Sequence, residues 1–135
     1  MTHKHWGTHL TVDFSGCNLE KITNIDNIKS FSKELVFLLN SKPYGDPNIF
    51  NNGSGNNLGY TLFQATEHYK STIVAHFCEE TCEMYLDIIG NAIIVPDAII
   101  NLVERYFQPS NYMTNFTIRD ANPIPKGWLG EYTRE

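Results

Sequence analysis

The sequence predicts an α+β fold: a two-layer α/β sandwich whose mainly antiparallel sheet carries two helices on one face, in the order β-α-β-β-β-α-β. Three observations predict it. Short runs alternate apolar and polar residues, as strands with one covered face do. Two longer runs repeat their apolar residues at helical spacing. Three strand-like runs follow one another without a helix between them, which favours antiparallel neighbours.

The elements follow in order. Leu10, Val12 and Phe14 alternate with Thr11 and Asp13 in a half-buried strand that ends at Ser15-Gly16-Cys17. Asp26 is the expected N-cap of a helix whose apolar face is Ile28, Phe31, Leu35, Leu38 and Leu39. Pro43 stops that helix near Ser41, because a residue preceding proline avoids helical dihedrals. From Pro43 to Gly59 the chain turns to Pro, Gly, Asn and Asp and reads as a long loop, with Asn51 to Asn57 its most turn-rich part. Tyr60 to Ala65, Thr72 to Phe77 and Met84 to Ile89 are β-branched and apolar, hence strands. Asp97 opens a second helix with Ile99, Ile100, Val103 and Phe107 on its apolar face; Pro109 ends it. Tyr112 to Ile118 alternates as a last strand. This gives one domain over 1–121 and an extended C-terminal arm over 122–135, anchored by Trp128 and Leu129 on the body or on a neighbouring subunit.

Composition narrows the function classes. The chain has 135 residues, 41% of them hydrophobic and 19% charged, so it folds. A formal net charge of −5 argues against a nucleic-acid partner. No apolar run reaches the ~20 residues of a membrane span. Three cysteines and no apolar signal segment within 1–10 point to a cytoplasmic protein in a reducing compartment.

Residues 61–91 hold the densest chemistry: Glu67, His68, Ser71, His76, Cys78, Glu79, Glu80, Cys82, Glu83 and Asp87. Cys78 and Cys82 stand four apart with His68 and His76 nearby, but no second cysteine pair follows, so two ordinary thiols fit better than zinc and no metal is expected. No G-x-S-x-G elbow surrounds Ser71, which argues against an acyl-transfer triad. Taken alone, His76 reads as a strand histidine, Tyr60 and Phe63 as core aromatics, and Glu79, Glu80 and Glu83 as a solvated acidic face.

The order of several short motifs adds a resemblance. Thr8 to Cys17, Gly59-Tyr60-Thr61 and Ser71-Thr72-Ile73-Val74-Ala75-His76 resemble, in spacing, the prokaryotic-type S-adenosylmethionine decarboxylases, and most of all their marine and phage-borne members. Glu80 falls four residues after His76 and Asp87 eleven after it, as in that family, and the likeness covers about residues 5–120. The resemblance implies a fold of the same kind and a homodimer or larger homo-oligomer with a sheet-edge interface near the site. It also implies S-adenosylmethionine as substrate and a product that donates the aminopropyl group for spermidine synthesis. In such enzymes an internal serine attacks the peptide bond before it, and elimination leaves a pyruvoyl group that serves as electron sink for loss of carbon dioxide. By resemblance Ser71 is that serine, Thr61 supplies a hydroxyl that assists processing, and His76 assists elimination. Glu67, acidic at the edge of an apolar strand, either faces solvent or holds the substrate's ammonium or sulfonium. Tyr60, Phe63 and Glu80 are the implied substrate contacts, since stacking and negative potential suit a cationic nucleoside.

The pattern is also broken at specific positions. Asn91 stands where the family has its proton-donating cysteine, Lys70 where a glutamate precedes the serine, and Thr72 where a histidine follows it. An alternative alignment makes Glu67-His68 the remnant of that element, with no serine. Two other function classes therefore stay open. One is an uncleaved enzyme that breaks S-adenosylmethionine down by elimination or hydrolysis, helped by its sulfonium leaving group. The other is a binding protein without catalysis.

Overall fold

Strand β1 (Gly7–Ser15) buries Leu10, Val12 and Phe14 and turns Asp13 to solvent, as its alternation requires. It is the fifth of six strands in a computed structural model that describes residues 5–53 and 58–122. The others are β2 (Asn48–Asn51), β3 (Gly59–Ala65), β4 (Thr72–Cys78), β5 (Glu83–Gly90) and β6 (Asn111–Arg119), in the spatial order β2-β3-β4-β5-β1-β6. Every neighbouring pair is antiparallel.

Three helices accompany the sheet: α1 (Leu19–Ile22), α2 (Ile25–Leu38) and α3 (Pro96–Phe107). Helices α2 and α3 meet the sheet through an aromatic chain. The ring of Phe107 lies 5.0 Å from Phe31 of α2 and 5.1 Å from Phe77 of β4, centroid to centroid. Around these rings Leu10, Val12, Leu62, Ile73, Met84, Leu86 and Ile88 close the core on the same side of the sheet. Across the helix layer, Tyr106 and Arg105 of α3 both donate to the Glu34 carboxylate of α2.

The predicted frame of strands and two long helices is present, and two elements add to it. The loop expected over 43–59 contains β2, which the register with β3 holds at the sheet edge. A single turn, α1, precedes α2. The N-cap of α2 is Asn24 rather than Asp26: the Asn24 side chain accepts from the Asn27 N–H, and Asp26 falls inside the first turn. Pro96 opens α3 at its first turn, where a missing N–H costs nothing. Part of the Asn- and Gly-rich turn, 54–57, and the C-terminal arm beyond Asn122, with Trp128 and Leu129, lie outside the described residues.

The face of the sheet away from the helices is open, and the register sets its side chains in rows. One row runs Phe50, Thr61, His76, Tyr85, Asp13, Met113 across all six strands. Phe50, Tyr85 and Met113 of that row are exposed, as is Phe63 in the next row. Among the described residues, no helix is long and apolar enough to cross a membrane.

Candidate active site

The antiparallel register of β3 and β4 sets Thr61 directly opposite His76. The Thr61 hydroxyl lies 3.2 Å from Nδ1 of His76 and accepts from Nδ2 of Asn52 at 2.8 Å. A hydroxyl has one hydrogen to give and two lone pairs, so beside Asn52 it pairs with Nδ1 as donor or as acceptor, according to the imidazole tautomer. Below this pair is a recess of about 320 Å³ lined by Asn52, Tyr60, His76, Cys78 and Glu80 among others. Tyr60 is half-buried against the core and also lines this recess, whereas Phe63 stands exposed on the open face two residues from Thr61. Burial first and Glu83 second push the Cys78 thiol above its usual range, so it stays protonated at neutral pH. The hydrogen bond to Glu83, then burial, likewise raises the phenol of Tyr85, the cross-strand neighbour of His76.

Ser71 and Glu67 sit at the other end of β4, in the turn joining it to β3. His76 lies five residue steps beyond Ser71 along the extended chain, roughly 16 Å at the usual rise per residue. One chain thus brings Thr61, His76, Tyr60 and Glu80 together and keeps them apart from Ser71 and Glu67.

The turn around Ser71 is tightly held. Thr66 is buried; its N–H donates to the Ser71 carbonyl at 3.0 Å, and its hydroxyl accepts from the Ser71 N–H at 3.2 Å. The Ser71 hydroxyl, buried with the rest of the residue, donates to the Tyr69 carbonyl at 2.7 Å. Tyr69 (φ 63°) and Lys70 (φ 29°) are both left-handed, so two non-glycine residues in succession carry backbone strain just before Ser71. Gly90 closes the arrangement from β5: a Cβ there would fall 2.4 Å from the Ser71 hydroxyl and 2.6 Å from the Lys70 carbonyl oxygen. Only a residue without a side chain lets β5 approach the Lys70–Ser71 bond this closely. Beside this bond opens a cleft of about 820 Å³ lined by Asn40, Glu67, His68, Tyr69, Lys70 and Asn91.

A family model for S-adenosylmethionine decarboxylase matches residues 8–120, which takes in both ends of β4. The chain belongs to the S-adenosylmethionine decarboxylase family. Its fold is also that of the crystal structure of the adenosylmethionine decarboxylase from Aquifex aeolicus. The two superpose with a TM-score of 0.70 at 15% sequence identity, over 93% of this chain and 99% of that one. No curated protein sequence matches the chain.

Some contributors to these sites were not singled out by sequence. Asn52, which fixes Thr61, was part of a turn-rich segment and carried no separate signal. Asn40 and Tyr69 line the cleft only because α2 ends beside the β3–β4 turn, where Ser41 exchanges hydrogen bonds with the main chain of His68. The described residues hold no group of three potential metal ligands; Cys17, Cys78 and Cys82 are all free thiols.

Proposed function

We propose that the chain binds S-adenosylmethionine and decarboxylates it with a pyruvoyl group made from its own Ser71, yielding the aminopropyl donor for spermidine synthesis. The observation that carries this reading is the strained Tyr69-Lys70 segment directly before a buried, hydrogen-bonded serine. Strain ahead of a bond is relieved when that bond rearranges, and such strain collects at functional sites. In processing, the Ser71 hydroxyl oxygen adds to the Lys70 carbonyl carbon and the Lys70–Ser71 C–N bond breaks, leaving an ester and a free amine. Loss of the residue 71 α-proton then expels the Lys70 carboxylate, and water replaces the nitrogen, releasing ammonia.

The residues present fit such a group. Residue 71 would remain held through its carbonyl by Thr66, against Gly90, at the edge of a cleft open to a small molecule. When formed, it supplies an electron sink for loss of carbon dioxide. Glu67, in the same cleft, would hold the cationic substrate. The reading also assigns a use to the separated half. In a homo-oligomer, a second copy would bring its Thr61–His76 pair, with Phe63 and Glu80, to the Ser71 end of the first. The exposed aromatic and aliphatic side chains beside His76 on the open face support that assembly. Three unpaired cysteines are consistent with a cytoplasmic setting.

Denaturing mass spectrometry of the purified protein tests the central step. The expected result is one fragment ending at Lys70 and one beginning at a carbonyl-blocked residue 71, both missing from Ser71→Ala. A single intact chain that binds or consumes S-adenosylmethionine would overturn the pyruvoyl route.

A further inference from the structure

Asn91 follows β5 directly and carries a polar atom for which the chain has no use. Its main-chain N–H donates to the Tyr69 carbonyl at 3.2 Å, pinning it to the turn that holds Ser71. Its side-chain Oδ1 is buried and has no hydrogen-bond partner. Buried acceptors are satisfied almost everywhere in native proteins, and an exception destabilises the chain that keeps it. The buried hydroxyls of Ser32 and Thr8 also lack partners, but a hydroxyl can turn, and neither residue lines the cleft. Asn91 does line it, together with Glu67, His68 and Lys70.

We propose that Oδ1 of Asn91 is the acceptor for the amine of the bound substrate. This rests on the reading of residue 71 as the reacting position, because that reading brings the substrate amine to this end of the cleft. Gly90, the residue before Asn91, packs so close to Ser71 and Lys70 that a Cβ there would clash with both, and Asn91 follows it directly, bonded through its N–H to the Tyr69 carbonyl. A carboxamide suits the task in a way that a carboxylate or a thiol does not. It takes an N–H and aims the nitrogen, yet it carries no charge that would hold the amine in its protonated, non-nucleophilic form. A thiol in its place is a weak acceptor and orients poorly. Asn91 is thus a positioning residue: its side chain lines the cleft, and Oδ1, closed to solvent and without a partner here, turns to the amine when substrate binds.

The test uses the full chain carrying Ser71→Ala, in which processing and turnover are absent and binding alone is read. S-adenosylmethionine and its analogue lacking the α-amino group are titrated by calorimetry, with and without Asn91→Ala. The substitution is expected to weaken S-adenosylmethionine by about 10-fold, the effect of losing one well-placed hydrogen bond. The deaminated analogue is expected to keep its affinity within about 2-fold. In the ligand-free protein Asn91→Leu should unfold at the same or a higher temperature, since it removes an unsatisfied buried acceptor. Equal losses for the two ligands, no loss for either, or a lower unfolding temperature in Asn91→Leu would overturn the assignment and leave the substrate reading standing. A chain with intact Asn91 that binds neither ligand would overturn the substrate reading, and this inference with it.

Discussion

His76 and Ser71 belong to the same strand region, yet they serve opposite ends and opposite faces of the sheet. His76 projects from the open face against Thr61, and Ser71 is buried at the far end beneath Gly90. Along β4 the two lie roughly 16 Å apart, so His76 does not contact residue 71 of its own chain. Joint action of the two at one reacting atom calls for a second copy of the chain.

Complementation follows from that separation. Ser71→Ala and His76→Ala should each lose decarboxylation, the histidine change by ~10²-fold or more if it acts in proton transfer. Mixing the two inactive proteins under conditions that exchange subunits should restore activity that neither has alone. Assays of the mixture against each parent decide it. A mixture as inactive as its parents would place His76 outside the reaction at Ser71.

The Thr61 hydroxyl is expected to act through His76. Thr61→Val keeps the shape of the side chain and removes the hydroxyl that pairs with Nδ1, a loss of about 1 kcal/mol of orientation. The imidazole then loses the partner that orients its ring. The expected outcome is a lower kcat with KM nearly unchanged, and altered ring-nitrogen chemical shifts of His76 by NMR. Identical ring-nitrogen shifts in the variant would mean that Thr61 does not orient the imidazole.

Gly90→Ala should block the site and weaken the fold together. The added methyl would meet the Ser71 hydroxyl at 2.4 Å and the Ser71 Cα at 2.5 Å, and main chain cannot move aside as a flexible side chain can. A loss of about 1–3 kcal/mol is expected from this overpacking, read as a lower midpoint in urea. The same variant should remain uncleaved on mass spectrometry.

Much of this architecture was legible in the sequence because period and burial coincide. Leu10, Val12 and Phe14 announce β1, and Ile99, Ile100, Val103 and Phe107 announce α3, since each set must share one covered face. Strand β2 was not legible. Ile49 and Phe50 favour a strand, but two residues flanked by Asn are too short a run to read, and the pairing is imposed by β3 from outside. The site divides in the same way. The resemblance to the family pointed to Ser71, Thr61 and His76, but a motif's order along a chain does not say which end of a strand faces which cleft. The strain at Tyr69 and Lys70 and the orphaned acceptor of Asn91 are consequences of tertiary placement, and no pattern of residue types encodes them.

Cys17 should make the protein sensitive to alkali. Its thiol is pushed up to about 11, by burial first and by neighbouring Cys82 and Glu83 after that. A folded-state value above the unfolded one means that stability is intact below about pH 9 and declines as pH rises through 9 toward 11. Cys17→Ala should flatten that alkaline decline in urea melts taken from pH 8 to 10.5. A decline of unchanged steepness would assign alkaline unfolding to other groups. The neutral thiol should also resist alkylation at pH 8 until the chain unfolds.

The contact between α2 and α3 should set the acid side of the profile. Tyr106 donates to one oxygen of Glu34 at 2.6 Å and Arg105 to the other at 3.0 Å, and these bonds hold the Glu34 carboxyl below its usual 4.5, the tyrosine contributing most. A depressed carboxyl stabilises the fold above its unfolded value, and that contribution is lost as pH falls below about 4.5 toward the lower folded value. Glu34 is half-exposed, so the contribution at neutral pH is about 1 kcal/mol at most. The other partner has the opposite sign. Burial, then the bond to Glu34, raises the Tyr106 phenol to about 12, so its contribution holds below about pH 10 and fades above it. Tyr106→Phe removes the phenol's own contribution and the larger part of the carboxyl's, leaving Arg105 on Glu34. It should lower stability slightly at pH 7, reduce the fall between pH 5 and 3, and reduce the fall above pH 10. Glu34→Gln should alter the acid limb more than the alkaline one, because burial still raises the phenol. Urea midpoints measured across that range for the two variants separate the contributions, and parallel curves for wild type and Tyr106→Phe below pH 5 would remove this contact from the acid response.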